Sequence, residues 1–175
     1  MIAPDPAVEW SRPLPVRSVT GEGRTIELDA SAEERAALAA RFGLVAIDRL
    51  AAKLEVQRVD GDLIRVRGTV EADLVQTCVV SLEPFPATVR DEVEGLFGEG
   101  VAPADVPEAW VDPEADDLPE PIVDGVIDLG ELAAQHLSLG LDPHPRKPDA
   151  TLDRALIEDV PEGPFAALKG WKCKP

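Results

Sequence analysis

The chain has no tyrosine and only four phenylalanines and three tryptophans in 175 residues. Its core must therefore be assembled from Leu, Val, Ile and Ala. Cysteine is as scarce: Cys78 and Cys173 stand far apart. Neither compartment nor pairing can be read from them alone, and a chain this long buries roughly 70% of its unfolded surface, enough to fold without a disulfide. Histidine is limited to His136 and His144. No pair among these four residues has ligand spacing such as Cys-x-x-Cys or His-x-x-x-His, so no zinc is expected. Asp116 and Asp117 lack the Asp-x-Asp-x-Asp-Gly pattern of a calcium loop. Gly21-Glu-Gly23 has neither the further glycine nor the lysine of a nucleotide site, so no cofactor is expected. No stretch approaches the roughly 18 apolar residues of a membrane span. The N-terminus lacks a basic segment followed by an apolar run. A cytoplasmic protein with free thiols is the resulting expectation.

The most informative shortage is of positive charge. The chain has 34 acids against 17 Lys and Arg, a net charge of −17. Residues 1–90 hold 14 acids and 11 bases, and residues 146–175 hold 5 and 6. Residues 91–145 hold 15 acids and neither Lys nor Arg. Nucleic-acid binding needs a basic face that releases counterions, and this segment repels phosphate. It attracts a basic protein instead, a class in which ribosomal proteins are abundant; the plainer reading is an acidic loop that maintains solubility.

What is present reads as α+β. Val8, Trp10, Leu14 and Val16 share one parity between Pro4, Pro6, Pro13 and Pro15, the pattern of an edge strand. Thr25–Asp29 is a short strand. Ser31-Ala-Glu-Glu34 is a capping box that opens a helix through Phe42, with Gly43 as its left-handed stop. Residues 48–59 and 63–77 alternate, with Leu50, Ala52, Leu54 and Val56, then Ile64, Val66, Val70, Ala72 and Leu74, on the buried side. Because both sets are even-numbered, a two-residue turn would separate the apolar faces. A three-residue loop, Val59 to Gly61 closed by Arg58 and Asp62, keeps them together and pairs Leu54 with Val66 and Val56 with Ile64. Cys78 continues the buried parity. Leu82-Glu-Pro-Phe-Pro breaks the strand, and Ala87–Phe97 is a third, with Val89, Val93 and Phe97 on one side.

Residues 98–124 carry five prolines and nine carboxylates and are expected to form a mobile acidic loop without regular structure. Trp110 is its one large apolar residue, either an anchor to the body, the preferred reading, or an exposed contact. Asp128 caps a second helix and Glu131 closes its box; Leu129, Leu132, Ala133, His136 and Leu137 form its stripe. A short apolar turn is expected near Phe165 and Leu168. The whole chain reads as a single domain with an antiparallel sheet, or a partly open barrel, and two main helices packed on it.

Few residues suggest chemistry. Cys78 lies in an acidic stretch, which raises a thiol pKa, and Cys173 belongs to the tail. His136 on an apolar stripe reads as a hydrogen-bonded rim residue rather than a catalyst. No catalytic set is expected. The partner-binding candidates are Asp105, Glu108, Trp110, Asp112, Glu114, Asp116 and Asp117 in the acidic loop, with Arg65 and Arg67 on the polar face of the hairpin.

The order of these parts, with Gly125-Val-Ile-Asp-Leu-Gly130, Leu139-Gly-Leu-Asp-Pro-His-Pro145 and Pro164-Phe-Ala-Ala-Leu-Lys169, resembles the YceD family of large ribosomal RNA subunit accumulation proteins. The resemblance covers roughly residues 15–172. It implies a non-enzymatic accessory role in ribosome biogenesis, supporting synthesis, processing or stability of 23S rRNA. The charge map then points to a basic ribosomal protein or pre-ribosomal particle as partner. Direct rRNA contact through small basic patches is the alternative, and an undetected enzyme comes last. The family usually carries Cys-x-x-Cys after the hairpin. Here Cys78-Val-Val-Ser81 keeps only the first cysteine, which implies that the fold requires the bend rather than a pair of thiols. His136 stands where relatives often have an acidic residue.

Overall fold

Alternation of apolar and charged residues over long stretches dictates strands buried on one face, and the chain builds its centre this way. The computed structural model describes residues 8–59, 63–99 and 119–151. Five strands form one sheet in the order β2 (Arg24–Asp29), β3 (Ala46–Arg58), β4 (Ile64–Thr77), β5 (Pro84–Gly98) and β6 (Glu120–Pro121). All neighbours are antiparallel except β5 and β6. A separate two-stranded ribbon pairs β1 (Pro13–Pro15) with β7 (Val126–Asp128). Helix α1 (Ala32–Phe42) joins β2 to β3, and α2 (Leu129–Gly140) follows β7. The sheet does not close into a barrel, and the α+β expectation holds in its open form.

One face of the sheet is apolar. Leu54, Val56, Ile64, Val66 and Val70 are fully buried, and they join Leu38 of α1 and Leu129, Ala133 and Leu137 of α2 in one core. Among the described residues, the only large aromatic fully enclosed in it is Trp10. Aliphatic packing of this kind contributes roughly 1.5–3 kcal/mol for each side chain fully buried.

The hairpin register differs from the sequence expectation by two residues. Val56 pairs with Val66 and Leu54 with Gly68, and the Val59 N–H donates to the Leu63 carbonyl at 2.8 Å. Parity fixes a register only modulo two, because any shift by two keeps the same faces together. Gly68 separates the alternatives: a Cβ there would strike the Lys53 carbonyl, and the adopted register puts glycine at that close approach. The expected left-handed Gly61 lies outside the described residues. Further along β3, Asp48 is an extra residue, with Ile47 opposite Leu74 and Arg49 opposite Asp73. The bulge switches parity and lets odd-numbered Ile47 and even-numbered Leu50 both reach the core.

Two further expectations are corrected at element ends. Residues 98–124 were expected to lack regular structure, yet Glu120–Pro121 runs beside Phe97–Gly98, and the Ile122 N–H donates to the Gly98 carbonyl at 3.1 Å. Ile122 packs against the core, which pins this end of the segment. At α2, Asp128 caps as expected, its carboxylate accepting from the Gly130 and Glu131 amides. Glu131 does not close a box: it takes both guanidinium nitrogens of Arg41 at 2.9 Å. A bidentate arginine is the stronger partner for a carboxylate than one backbone amide. At α1 the box is complete, and Gly43 stops the helix at φ 66°.

The N-terminal segment straps both helices to the sheet. Arg12 donates to Glu34 at 2.6 and 3.0 Å, its amide donates to Asp128 at 2.7 Å, and its carbonyl accepts from Leu129. Glu9 reaches Arg41 at 3.0 Å. The Arg12 guanidinium, assisted by Ser31, holds the Glu34 carboxyl down at about 2. Trp10 passes so close to α2 that a Cβ at Gly130 would collide with its carbonyl.

Gly130→Ala is therefore expected to cost about 1–3 kcal/mol, measured by urea unfolding, since the obstacle is main chain that no rotamer can relieve. Because the folded pKa of Glu34 lies below its unfolded value, its contribution is complete above about 4.5 and disappears as pH falls toward about 2. Arg12→Met should flatten the loss of stability across that interval.

Candidate functional site

Strand pairing brings the charged side chains of β2 to β5 together on the face opposite the core. Lys53 binds Glu27 at 3.0 Å, Arg90 binds Glu71 at 3.1 Å, Arg67 binds Glu94 at 2.7 Å, and Arg49 approaches Glu71 and Asp73 at 3.8 and 4.0 Å. Exposed pairs of this type contribute only about 0–1 kcal/mol each. Their larger effect is to neutralise the bases. Arg67, a candidate contact residue, is already engaged by a carboxylate. Arg65 is the exception on this face, with no ion pair among the described residues, and it stands opposite Gln57 and Leu96. The structure thus brings Arg65 and Arg67 to one face but does not make a basic patch of them. Asp105, Glu108, Trp110, Asp112, Glu114, Asp116 and Asp117 lie outside the described residues, as do Cys173 and the expected turn near Phe165.

A second cluster forms at the end of β4, where the chain turns at Cys78. The Cys78 sulfur is fully buried and accepts backbone N–H groups from Val80, Ser81 and Lys147, each at 3.4 Å. Leu82 takes the left-handed conformation, φ 60°, that returns the chain into β5. The Val79 amide donates to the Pro145 carbonyl at 2.9 Å, and the Lys147 ammonium reaches Glu83 at 3.0 Å. The bend therefore clasps the segment that follows α2. The Ser81 hydroxyl, then the surrounding amides, favour the charged form of sulfur, and the Cys78 pKa falls to about 6. The sequence expectation of a raised value is thus overturned: local hydrogen bonds to sulfur outweigh both burial and the acidic neighbourhood. Sequence pattern gave the burial of Cys78 through its parity, but Lys147, 69 positions away, carried no signal.

His136 sits on the rim as expected, its Nε2 3.2 Å from the Glu94 carbonyl of β5. Among the described residues, no group of three or more His, Cys, Asp or Glu is arranged to hold a metal ion. No helix among them is long and apolar enough to cross a membrane.

These features define an open-sheet α+β protein with an ion-paired polar face and helices clasped at both ends of the sheet. The chain belongs to the YceD family: the family model for the large ribosomal RNA subunit accumulation protein YceD matches residues 66–169. That span runs from β4 through the cysteine bend, the acidic segment and α2. The family is described by its part in large-subunit ribosomal RNA accumulation, not by a reaction. No curated protein and no solved structure matches the chain.

The thiolate nest has a pH signature. The folded pKa of Cys78 lies below the unfolded value, so folding releases a proton between about 6 and 9. The nest's stabilisation is complete above about 9 and lost as pH falls through about 6. Wild-type thermal stability should rise with pH across this window more steeply than that of Cys78→Ala, and thiolate absorbance in the folded chain should titrate near 6.

Proposed function

We propose that this protein is a non-enzymatic, cytoplasmic accessory factor of ribosome biogenesis that holds a basic ribosomal protein, free or on a pre-ribosomal particle. The observation that carries the reading is the charge map: 15 carboxylates and no Lys or Arg across residues 91–145, in a chain otherwise nearly balanced. Asp105, Glu108, Asp112, Glu114, Asp116 and Asp117, with Trp110 among them, are the proposed contact set. Family membership supports the ribosomal setting, and the neutralised polar face supports a protein partner over RNA. Each exposed attraction is worth well under about 1 kcal/mol and is screened within roughly 8 Å at physiological salt. Many acting together still raise encounter rates tenfold or more.

Direct rRNA contact is the second reading, favoured by Arg65, which has no ion pair among the described residues. It ranks lower because Arg67, Arg49, Lys53 and Arg90 on the same face already have carboxylate partners.

The decisive comparison is a lysate pull-down with the intact chain and with a chain in which the acids of 98–124 are replaced by Asn and Gln. The intact chain should retain basic ribosomal proteins at low salt and lose them at moderate salt, and the neutralised chain should retain roughly tenfold less. Equal recovery by both chains would reject the acidic segment as the binding element. Recovery of ribosomal RNA alone, sensitive to Arg65→Glu, would favour the second reading.

A further inference from the structure

The free edge of β5 is blocked almost everywhere, and the one opening lies beside Gln76, a largely buried glutamine that lines the adjoining groove. In an antiparallel strand the N–H and C=O of one residue point to the same side, and the side alternates along the chain. The Gly98 carbonyl accepts from Ile122, the Glu94 carbonyl lies against His136 Nε2, and the Glu92 N–H donates to the Asp91 carboxylate at 2.9 Å. Even-numbered residues of β5 therefore face away from β4. Pro84 and Pro86 lie on that same side and bring no N–H. Between the prolines and Glu92, only Thr88 and Arg90 present an open N–H and C=O.

Those two residues form one wall of a groove of about 340 Å³. Their side chains are committed to the opposite face, Thr88 to Asp73 at 2.8 Å and Arg90 to Glu71 at 3.1 Å. They line the groove with main chain. Its floor is Phe85, Ala87 and Val89, all partly buried, with Gln76; its far wall is Gly140 to Arg146. Gln76 is 6% exposed, the sole buried polar residue in the described chain, and its side chain has no hydrogen-bond partner among the described residues. Its amide atoms are not fully enclosed, so they open to the groove, where a peptide group can replace water as their partner. Arg146, at the mouth, has no ion pair among the described residues, whereas Asp142 on the same wall accepts from the His144 amide at 2.8 Å.

We propose that this groove binds an extended peptide segment of a partner protein, as a short strand added to the edge of β5. Its main chain bonds Thr88 and Arg90, the Gln76 amide bonds a peptide group, one apolar side chain rests on Phe85, Ala87 and Val89, and a carboxylate faces Arg146. An extended peptide satisfies a donor and an acceptor at alternate residues simultaneously, the spacing that Thr88 and Arg90 offer. This site is independent of the acidic segment, so either proposal stands or falls alone.

The test is an NMR titration of the isotope-labelled full chain with a capped Thr-Val-Asp-Val-Thr peptide, its fully N-methylated counterpart, and a five-nucleotide RNA. The expected result is saturable shifts of the Thr88 and Arg90 amides and the Gln76 side-chain NH2 with the first peptide alone. Gln76→Leu should preserve or raise thermal stability while weakening the peptide about tenfold. Thr88→Pro, which places a third proline on an edge that already carries Pro84 and Pro86, should do likewise to binding. Unchanged affinity in a folded Gln76→Leu chain overturns the proposal, as does equal binding of the N-methylated peptide. It is also overturned if RNA alone produces the shifts, or if the Thr88 and Arg90 amides are already protected from hydrogen exchange in the peptide-free chain, because the chain itself then fills the groove.

Discussion

Arg12 joins the two helix starts, and the placement of both helices depends on it. Each helix N-terminus leaves unsatisfied amides and a partial positive charge, and each is served by a carboxylate: Glu34 at α1 and Asp128 at α2. Arg12 binds the first through its guanidinium and the second through its main-chain N–H. One residue of an extended strap thereby fixes the distance between two caps. The neighbouring Trp10 fills the space beneath, and the Arg41–Glu131 pair closes the same gap from the helix sides. With the helices set, the apolar face of the sheet has only one surface to pack against.

The chain uses charge differently on its two sides. On the polar face of the sheet, bases and acids interleave across strands, so the field of each pair cancels locally. Across residues 91–145 bases cease, and nothing within that stretch offsets the carboxylates. A field that survives beyond the molecular surface therefore originates there, and not at the sheet. This division separates a surface that maintains fold and solubility from one able to act at a distance.

Much of the fold was legible in sequence because it rests on local rules. Ser31, Glu34 and Gly43 bounded α1 correctly, and the even-numbered apolar residues of β3 and β4 found their face. What parity could not do was choose between registers two residues apart; that took the close approach at Gly68, a tertiary fact. Asp48 hid its bulge because one extra residue in an alternating run resembles a strand that begins late. Glu131 was misassigned because a capping box is a local motif, whereas its partner Arg41 lies 90 positions earlier. Of the site, the candidate arginines Arg65 and Arg67 were placed on the correct face, but the neutralisation of Arg67 by Glu94 was not foreseen, since cross-strand neighbours follow from register. The charge on Cys78 was read from sequence neighbours, while in space it is set by the amides and hydroxyl that converge on the sulfur.

The strap also bears on the order in which the molecule assembles. Arg12 and Asp128 are separated by 116 positions, whereas β2, α1, β3, β4 and β5 join neighbours along the chain. Closing so long a loop brings no return until its far end exists, so the meander forms first and the strap docks last. During synthesis the strap emerges well before α2 and waits for it before it has a place to bind. Until then, the groove that will hold Trp10 stays open, and the nascent chain keeps an exposed apolar surface there.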